Sequence, residues 1–231
     1  MTDRRDELAE RLDAVRERVT AACAAAGRTD LPTLVAVTKF FPASDVDLLA
    51  DLGVTDVGEN RDQEASEKMA AIAQREALTV HFVGQLQSNK ASSVAAYADV
   101  VHSLDRAKLV GALDRGAERH DRTLDVLVQV ALDDGEGRGG AAPGDLPALA
   151  EAVAAAGHLR LRGLMAVAPL GRPARPAFAR LRELSGTLRA EHPDAGWISA
   201  GMSGDLEDAV AEGATHLRVG SAILGSRESH R

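Results

Sequence analysis

Leu34-Val35-Ala36-Val37-Thr38-Lys39 is an apolar, strand-like run that ends on a lysine, and the reading of the fold starts from it. It belongs to the first of eight strand-like runs, near residues 33–39, 55–59, 79–84, 99–104, 124–132, 159–167, 196–201 and 216–220. Helical stretches near 44–52, 61–77, 88–96, 106–119, 145–156, 174–191 and 204–212 separate them, with Gly, Pro, Asp or Ser at many of the joints. Eight strands alternating with helices predict an α/β protein, a single (β/α)8 TIM barrel over residues 1–231, with a doubly wound open sheet as the alternative. Ahead of the first strand, Leu8, Leu12, Val15, Val19 and Ala22 recur at three- and four-residue spacing. That spacing predicts an extra amphipathic N-terminal helix, expected to close one end of the barrel.

The chain carries 27 Lys+Arg against 35 Asp+Glu, a formal charge of −8, with the basic residues spread along helical faces. This argues against nucleic acid as a partner. With one cysteine, Cys23, no internal disulfide is expected; it sits in an Ala-rich helical stretch and reads as a small core or interface residue. The N-terminus is charged and no apolar run approaches about 18 residues, so neither a signal peptide nor a membrane span is expected, and a cytoplasmic protein is.

In such barrels the chemistry gathers where the loops after the strands converge. Lys39, Asn60, Gln85, His102-Ser103, Met165, Met202-Ser203 and Arg218 to Ser221 all fall at or near predicted strand ends. Lys39 reads either as an amine whose burial favours the neutral, nucleophilic form or as a rim lysine with its ammonium in water. Phe40-Phe41 behind it either walls a pocket or packs. Asn60 either donates to a ligand or caps the following helix, and Ser88 reads as a helix cap. His81, inside the third strand, reads as a hydrogen-bonded core histidine. Gly201-Met202-Ser203-Gly204-Asp205 and Gly220-Ser221 are small-residue loops whose amides and hydroxyls suit an anion, with helix capping as the plainer reading. Strand alternation points Arg218 and Gly220 to one face, and an inward arginine needs an acceptor, either a carboxylate or a ligand atom such as a pyridine nitrogen. A reactive lysine beside a phosphate cradle suggests pyridoxal phosphate (PLP).

Taken in order, several segments resemble the signatures of the pyridoxal phosphate homeostasis protein family, over nearly the whole chain. They are Leu34 to Lys39, Gly58-Glu59-Asn60 with Gln63-Glu64, His81 to Lys90, His102-Ser103-Leu104-Asp105, Gly163-Leu164-Met165, Gly201 to Asp205 and Arg218 to Gly225. The resemblance implies an alanine-racemase-like barrel with PLP held as a Schiff base on Lys39. It implies phosphate contacts from Ser203, Gly220 and Ser221, with Arg218 facing the pyridine nitrogen; Asn60 and Met202, at the same predicted mouth, are expected to complete the cofactor-binding set. It further implies a vitamin B6 carrier or regulator without efficient turnover. Apo PLP-dependent enzymes are the implied partners, and a monomer or weak dimer is expected. Two positions depart from the family pattern: Phe40-Phe41 stands where a polar step usually precedes the proline, and Arg138 stands where a lysine is usual.

Two other functions compete with the carrier. A PLP-dependent racemase or aldolase of the same barrel class needs a second acid/base opposite Lys39, and the only tyrosine, Tyr97, falls at the end of a predicted helix. A phosphosugar enzyme with an unmodified lysine predicts no chromophore. The Gly-rich stretch 133–144 reads as a mobile loop over the mouth or as a plain connector.

Overall fold

Val, Ile, Leu and Ala are frequent in most of the eight strand-like runs, and in the computed structural model, which describes residues 3–132 and 139–225, each run forms a strand. The strands are β1 (Thr33–Val37), β2 (Asp56–Glu59), β3 (Thr79–Phe82), β4 (Val100–Leu104), β5 (Leu124–Gln129), β6 (Leu159–Met165), β7 (Trp197–Ser199) and β8 (His216–Val219). All are parallel and pair in sequence order, and β8 returns to β1 with Leu34 opposite Leu217 and Ala36 opposite Val219. The sheet closes, which excludes the open doubly wound alternative. Except for β2 and β4, the strands end before their runs do, and the last residues of those runs leave the ladder to build the mouth loops.

Around the barrel lie α1 (Arg4–Ala25), α2 (Ala43–Asp51), α3 (Asp62–Ala71), α4 (Ala91–Tyr97), α5 (Ala107–Arg119), α6 (Leu146–Ala154), α7 (Ala174–Glu191), α8 (Leu206–Ala211) and α9 (Ser221–Leu224). α1 buries Leu8, Leu12, Val15, Val19 and Cys23. It packs against α2, α8 and α9, so it completes the outer layer at the β8–β1 seam instead of closing an end. The physical reason is α9: four residues are too short to cover the seam, and α1 supplies the missing apolar face. The sequence reading does not anticipate α9.

Strand alternation divides the side chains. Val80 and Phe82, Leu217 and Val219, Ile198 and Ala200 join the main core between strands and helices. Their neighbours His81, Arg218 and Ser199 therefore point into the barrel, where they are buried. The lumen is two-sided: Val100, Leu127 and Met165 form a small apolar cluster backed by Trp197, and the polar residues occupy the rest. Gly163, at φ 150°, lets β6 pass close to β7, since a Cβ there would sit 1.9 Å from Trp197 O. Residues 133–138 of the Gly-rich stretch, Arg138 among them, lie outside the described residues. Its remainder is tied down, with Ala141 bridging to Val130 and a 3-10 turn at Pro143–Asp145.

Candidate functional site

Lys39 lies two residues beyond β1, in a turn closed by Phe41 N–H donating to Thr38 O at 3.1 Å. Phe40, the third residue of that turn, has φ 71°, a conformation a non-glycine residue adopts only when its surroundings enforce it. The enforcement is visible: Phe40 N–H donates to Glu64 Oε1, and the Arg61 guanidinium sits 4.8 Å over the Phe40 ring. Phe41 turns into the core, so the aromatic pair divides between rim and packing.

Beneath the turn is a buried ionic cluster. Lys68 Nζ donates to Thr38 O and Glu59 Oε1, both at 2.8 Å, and lies 3.3 Å from Glu64 Oε1. Thr38 Oγ1 donates to the same Glu59 oxygen at 2.6 Å. Burial pushes the Glu59 carboxyl above its usual range, against the pull of Lys68. The cluster grips Thr38 from below and leaves the Lys39 side chain to the mouth, where it makes no hydrogen bond or ion pair among the described residues.

A cavity of about 540 Å3 opens there, and Lys39, Asn60, Met202, Ser203, Arg218, Gly220 and Ser221 all line it, with Val37, Val83, Val167 and Gly204. Seven residues spread from position 39 to position 221 thus converge on one hollow. Asn60 is not a cap, because Arg61 takes the N-cap position of α3. Its backbone is pressed against Gly84, where a Cβ would stand 2.0 Å from Asn60 O. Ser88 is not a cap either; it opens a 3-10 turn before α4. Gln85 faces a neighbouring hollow with Asn60 and Lys90, and His102 and Met165 are buried inside the barrel.

The loops after β7 and β8 meet at two hydroxyls. Ser221 Oγ lies 3.2 Å from Ser203 Oγ, which also accepts from Ala222 N–H at 3.2 Å. Asp205 Oδ1 accepts from Met202 N–H at 2.6 Å and shapes the first of these loops. Arg218 is held from behind: Nη1 donates to Ser199 Oγ at 2.6 Å and Nη2 to Ala166 O at 2.9 Å. No carboxylate pairs with it among the described residues. Burial pulls its pKa down to about 10, so it remains a cation at neutral pH. The sequence reading missed both anchors, Ser199 and Ala166; the small residues ending the sixth and seventh runs were the available signal.

Two buried histidines give the barrel a pH signature. Burial lowers His216 to about 4 and His102 well below its ordinary 6.5. A folded-state pKa below the unfolded one contributes stability that is present above about pH 6.5 and is lost as pH falls through the folded value. At ~1.4 kcal/mol per pKa unit, His216 alone contributes on the order of 3 kcal/mol. Asp56, also lowered, acts in the same direction at lower pH, and the raised Glu59 opposes them. The urea midpoint is expected to fall steadily between pH 7 and pH 4; a flat or rising profile over that interval would contradict the neutral buried pair.

A family model described as the alanine racemase N-terminal domain matches residues 11–228. The chain is 42% identical to the pyridoxal phosphate homeostasis protein of Mycobacterium leprae, covering 96% of this chain and 94% of that one. It is similar to PipY of Synechococcus elongatus, solved with PLP bound, at 34% identity and a TM-score of 0.80, covering 94% of this chain and all of that one. Alanine racemase from Streptomyces coelicolor shares the fold, with a TM-score of 0.76 at 20% identity, and 58% of its chain is covered. Among the described residues no helix is long and apolar enough to cross a membrane.

Proposed function

The chain belongs to the pyridoxal phosphate homeostasis protein family, and we propose that it holds PLP covalently on Lys39 as a cytoplasmic vitamin B6 carrier or regulator without efficient turnover. The observation that carries this reading is the Lys39 amine, unpaired among the described residues, in one cavity with a hydroxyl pair and a carboxylate-free arginine. The donor set fits the cofactor, which presents an aldehyde, a phosphate and a ring nitrogen. When bound, PLP supplies an aldehyde carbon that condenses with a neutral amine and releases one water.

Each side chain has a task in that reading. Lys39 provides the amine from a turn held rigid by the Glu59–Lys68 cluster. Ser203 and Ser221, with the backbone of Gly220, receive the phosphate between the β7 and β8 loops. Arg218 donates to the ring nitrogen, and because a guanidinium keeps its protons, it leaves that nitrogen unprotonated. An unprotonated ring is a weak electron sink. No tyrosine or histidine lines the cavity among the described residues, so a second base is missing from its wall. Tyr97 is packed in the core on α4, with burial raising its phenol. Phe40, Val167, Leu170 and Met202 stand exposed on the mouth loops, an apolar rim that supports transfer to apo PLP-dependent enzymes as the partners.

Replacing Ser203 and Ser221 together by alanine is expected to weaken PLP retention by at least about tenfold, since hydrogen bonds to charged groups contribute ~1.5–3 kcal/mol each. Equilibrium dialysis against PLP measures it, and unchanged affinity would remove the phosphate assignment. The carrier reading is tested against its alternative, a PLP-dependent racemase, by incubating PLP-loaded protein with L- and D-amino acids in deuterated water. No appreciable Cα exchange is expected; rapid exchange that disappears in Lys39→Ala would establish the enzyme instead.

A further inference from the structure

Arg218 is the mouth end of a continuous hydrogen-bonded chain through the barrel. From its anchor Ser199, Oγ lies 2.9 Å from His102 Nδ1; His102 Nε2 lies 2.8 Å from His81 Nδ1; His81 Nε2 lies 2.9 Å from Asp56 Oδ1. Ser199 is on β7 and His102 on β4, with two strands between them, so that link crosses the lumen. Asp56 is the first residue of β2, at the end of the barrel opposite the mouth. Ser199, His102 and His81 are buried at 0% exposure.

The proton inventory gives the chain one direction. A guanidinium only donates and a carboxylate only accepts. With Asp56 ionised and His81 singly protonated, His81 carries its proton on Nε2 and accepts at Nδ1. His102 must then donate from Nε2 and accept at Nδ1, and Ser199, already accepting from Arg218, must donate its one proton to His102. The reverse assignment would set the bare His81 Nε2 against the Asp56 carboxylate. Each imidazole then carries one proton, with a cation at one end of the chain and an anion at the other.

We propose that Asp56 is the remote counter-ion of Arg218, and that Ser199, His102 and His81 are positioning residues that carry its influence to the cavity. The arrangement balances the arginine without placing a carboxylate against it, so its cavity-facing N–H groups stay available to an acceptor. Asp205 also acts on Arg218 through its charge, but it makes no hydrogen bond to the guanidinium, and its Oδ1 accepts from Met202 N–H. His216 flanks the chain, 6.2 Å from the His81 ring and 6.4 Å from His102, and bonds Thr215 Oγ1 instead. The relay stands on its own geometry; its effect on PLP rests on the function proposed above.

The test is long-range nitrogen–proton NMR of the purified protein labelled with 15N-histidine. At pH 7 both His81 and His102 are expected as neutral Nε2–H tautomers. Asp56→Ala is expected to release both rings toward Nδ1–H, including His102, which does not touch residue 56. Ser199→Ala is expected to leave both as Nε2–H, because the carboxylate end sets the direction. An Nδ1–H tautomer in the wild type, an unmoved His102 in Asp56→Ala, or flipped rings in Ser199→Ala would overturn the proposal. If Asp56→Ala fails to fold, the wild-type and Ser199→Ala spectra still decide. In PLP-loaded protein, Ser199→Ala is expected to shift the visible band and weaken retention about tenfold, the equivalent of one hydrogen bond, with Ser199→Thr restoring both. If Ser199→Ala leaves band and retention unchanged while the wild type binds PLP, the coupling to the cavity is wrong. A wild type that binds no PLP defeats the proposed function, while the tautomers still decide the relay.

Discussion

Replacing Lys39 by alanine is expected to reduce covalently retained PLP, and its visible absorbance, to background. The chain has four lysines. Lys68 is buried and spends its ammonium on Thr38, Glu59 and Glu64; Lys90 sits 3.5 Å from Asp62; Lys108 is exposed on α5. Only Lys39 among them lines the cavity that Ser203, Ser221 and Arg218 share. Lys39→Arg should fail equally, because a guanidinium keeps the charge but remains protonated and cannot act as the amine. The fold should survive both changes, since the Lys39 side chain has no partner to lose among the described residues. Absorbance and bound-PLP assay of wild type and variants, purified in parallel, measure the effect. Covalent PLP persisting in Lys39→Ala would move the site elsewhere.

Lys68→Met should produce the largest loss of stability. Glu59 is fully buried, and its Oε1 is the shared acceptor of Lys68 and Thr38 while Oε2 has no hydrogen-bond partner. Removing one partner of a buried ion pair leaves an uncompensated charge and costs about 3–5 kcal/mol. For a chain of this length that corresponds to a fall in Tm on the order of 10 °C. The loss should depend on pH. Without Lys68 the Glu59 carboxyl is raised further, and a raised folded-state pKa favours the fold below the unfolded pKa and penalises it as pH rises through the folded value. The variant should therefore lose more stability at pH 8 than at pH 5. Adding Glu59→Gln should recover much of the loss, because both charges are then gone. Urea denaturation of the single and double variants at the two pH values measures this, and equal losses at both would contradict it.

The eight strands and their order were legible because β-branched and aliphatic runs recur between amphipathic stretches, and a closed parallel sheet is the architecture that buries them all. The convergence of Lys39, Asn60, Ser203, Arg218 and Ser221 followed from one rule, that residues just beyond the strands share a mouth. What escaped the sequence depends on pairings between distant strands. Nothing local to Lys68 announces that it reaches under Thr38, thirty residues earlier, or that Glu64 fixes the positive φ of Phe40. His81 read correctly as a hydrogen-bonded core residue, yet its partners, His102 and Asp56, lie on neighbouring strands and become neighbours only once the register is set. Short α9 was missed because four residues cannot show a helical period, and with it went the true position of α1.

The covalent role of Lys39 is tested most directly by treating the purified protein with PLP, reducing with borohydride and mapping the pyridoxyl mass by peptide mass spectrometry. Reduction converts a reversible carbon–nitrogen linkage into a permanent one, so the label marks whichever amine held the cofactor. The expected result is a single labelled peptide, the one containing Lys39. A label on Lys68, Lys90 or Lys108, or no label at all, would contradict it.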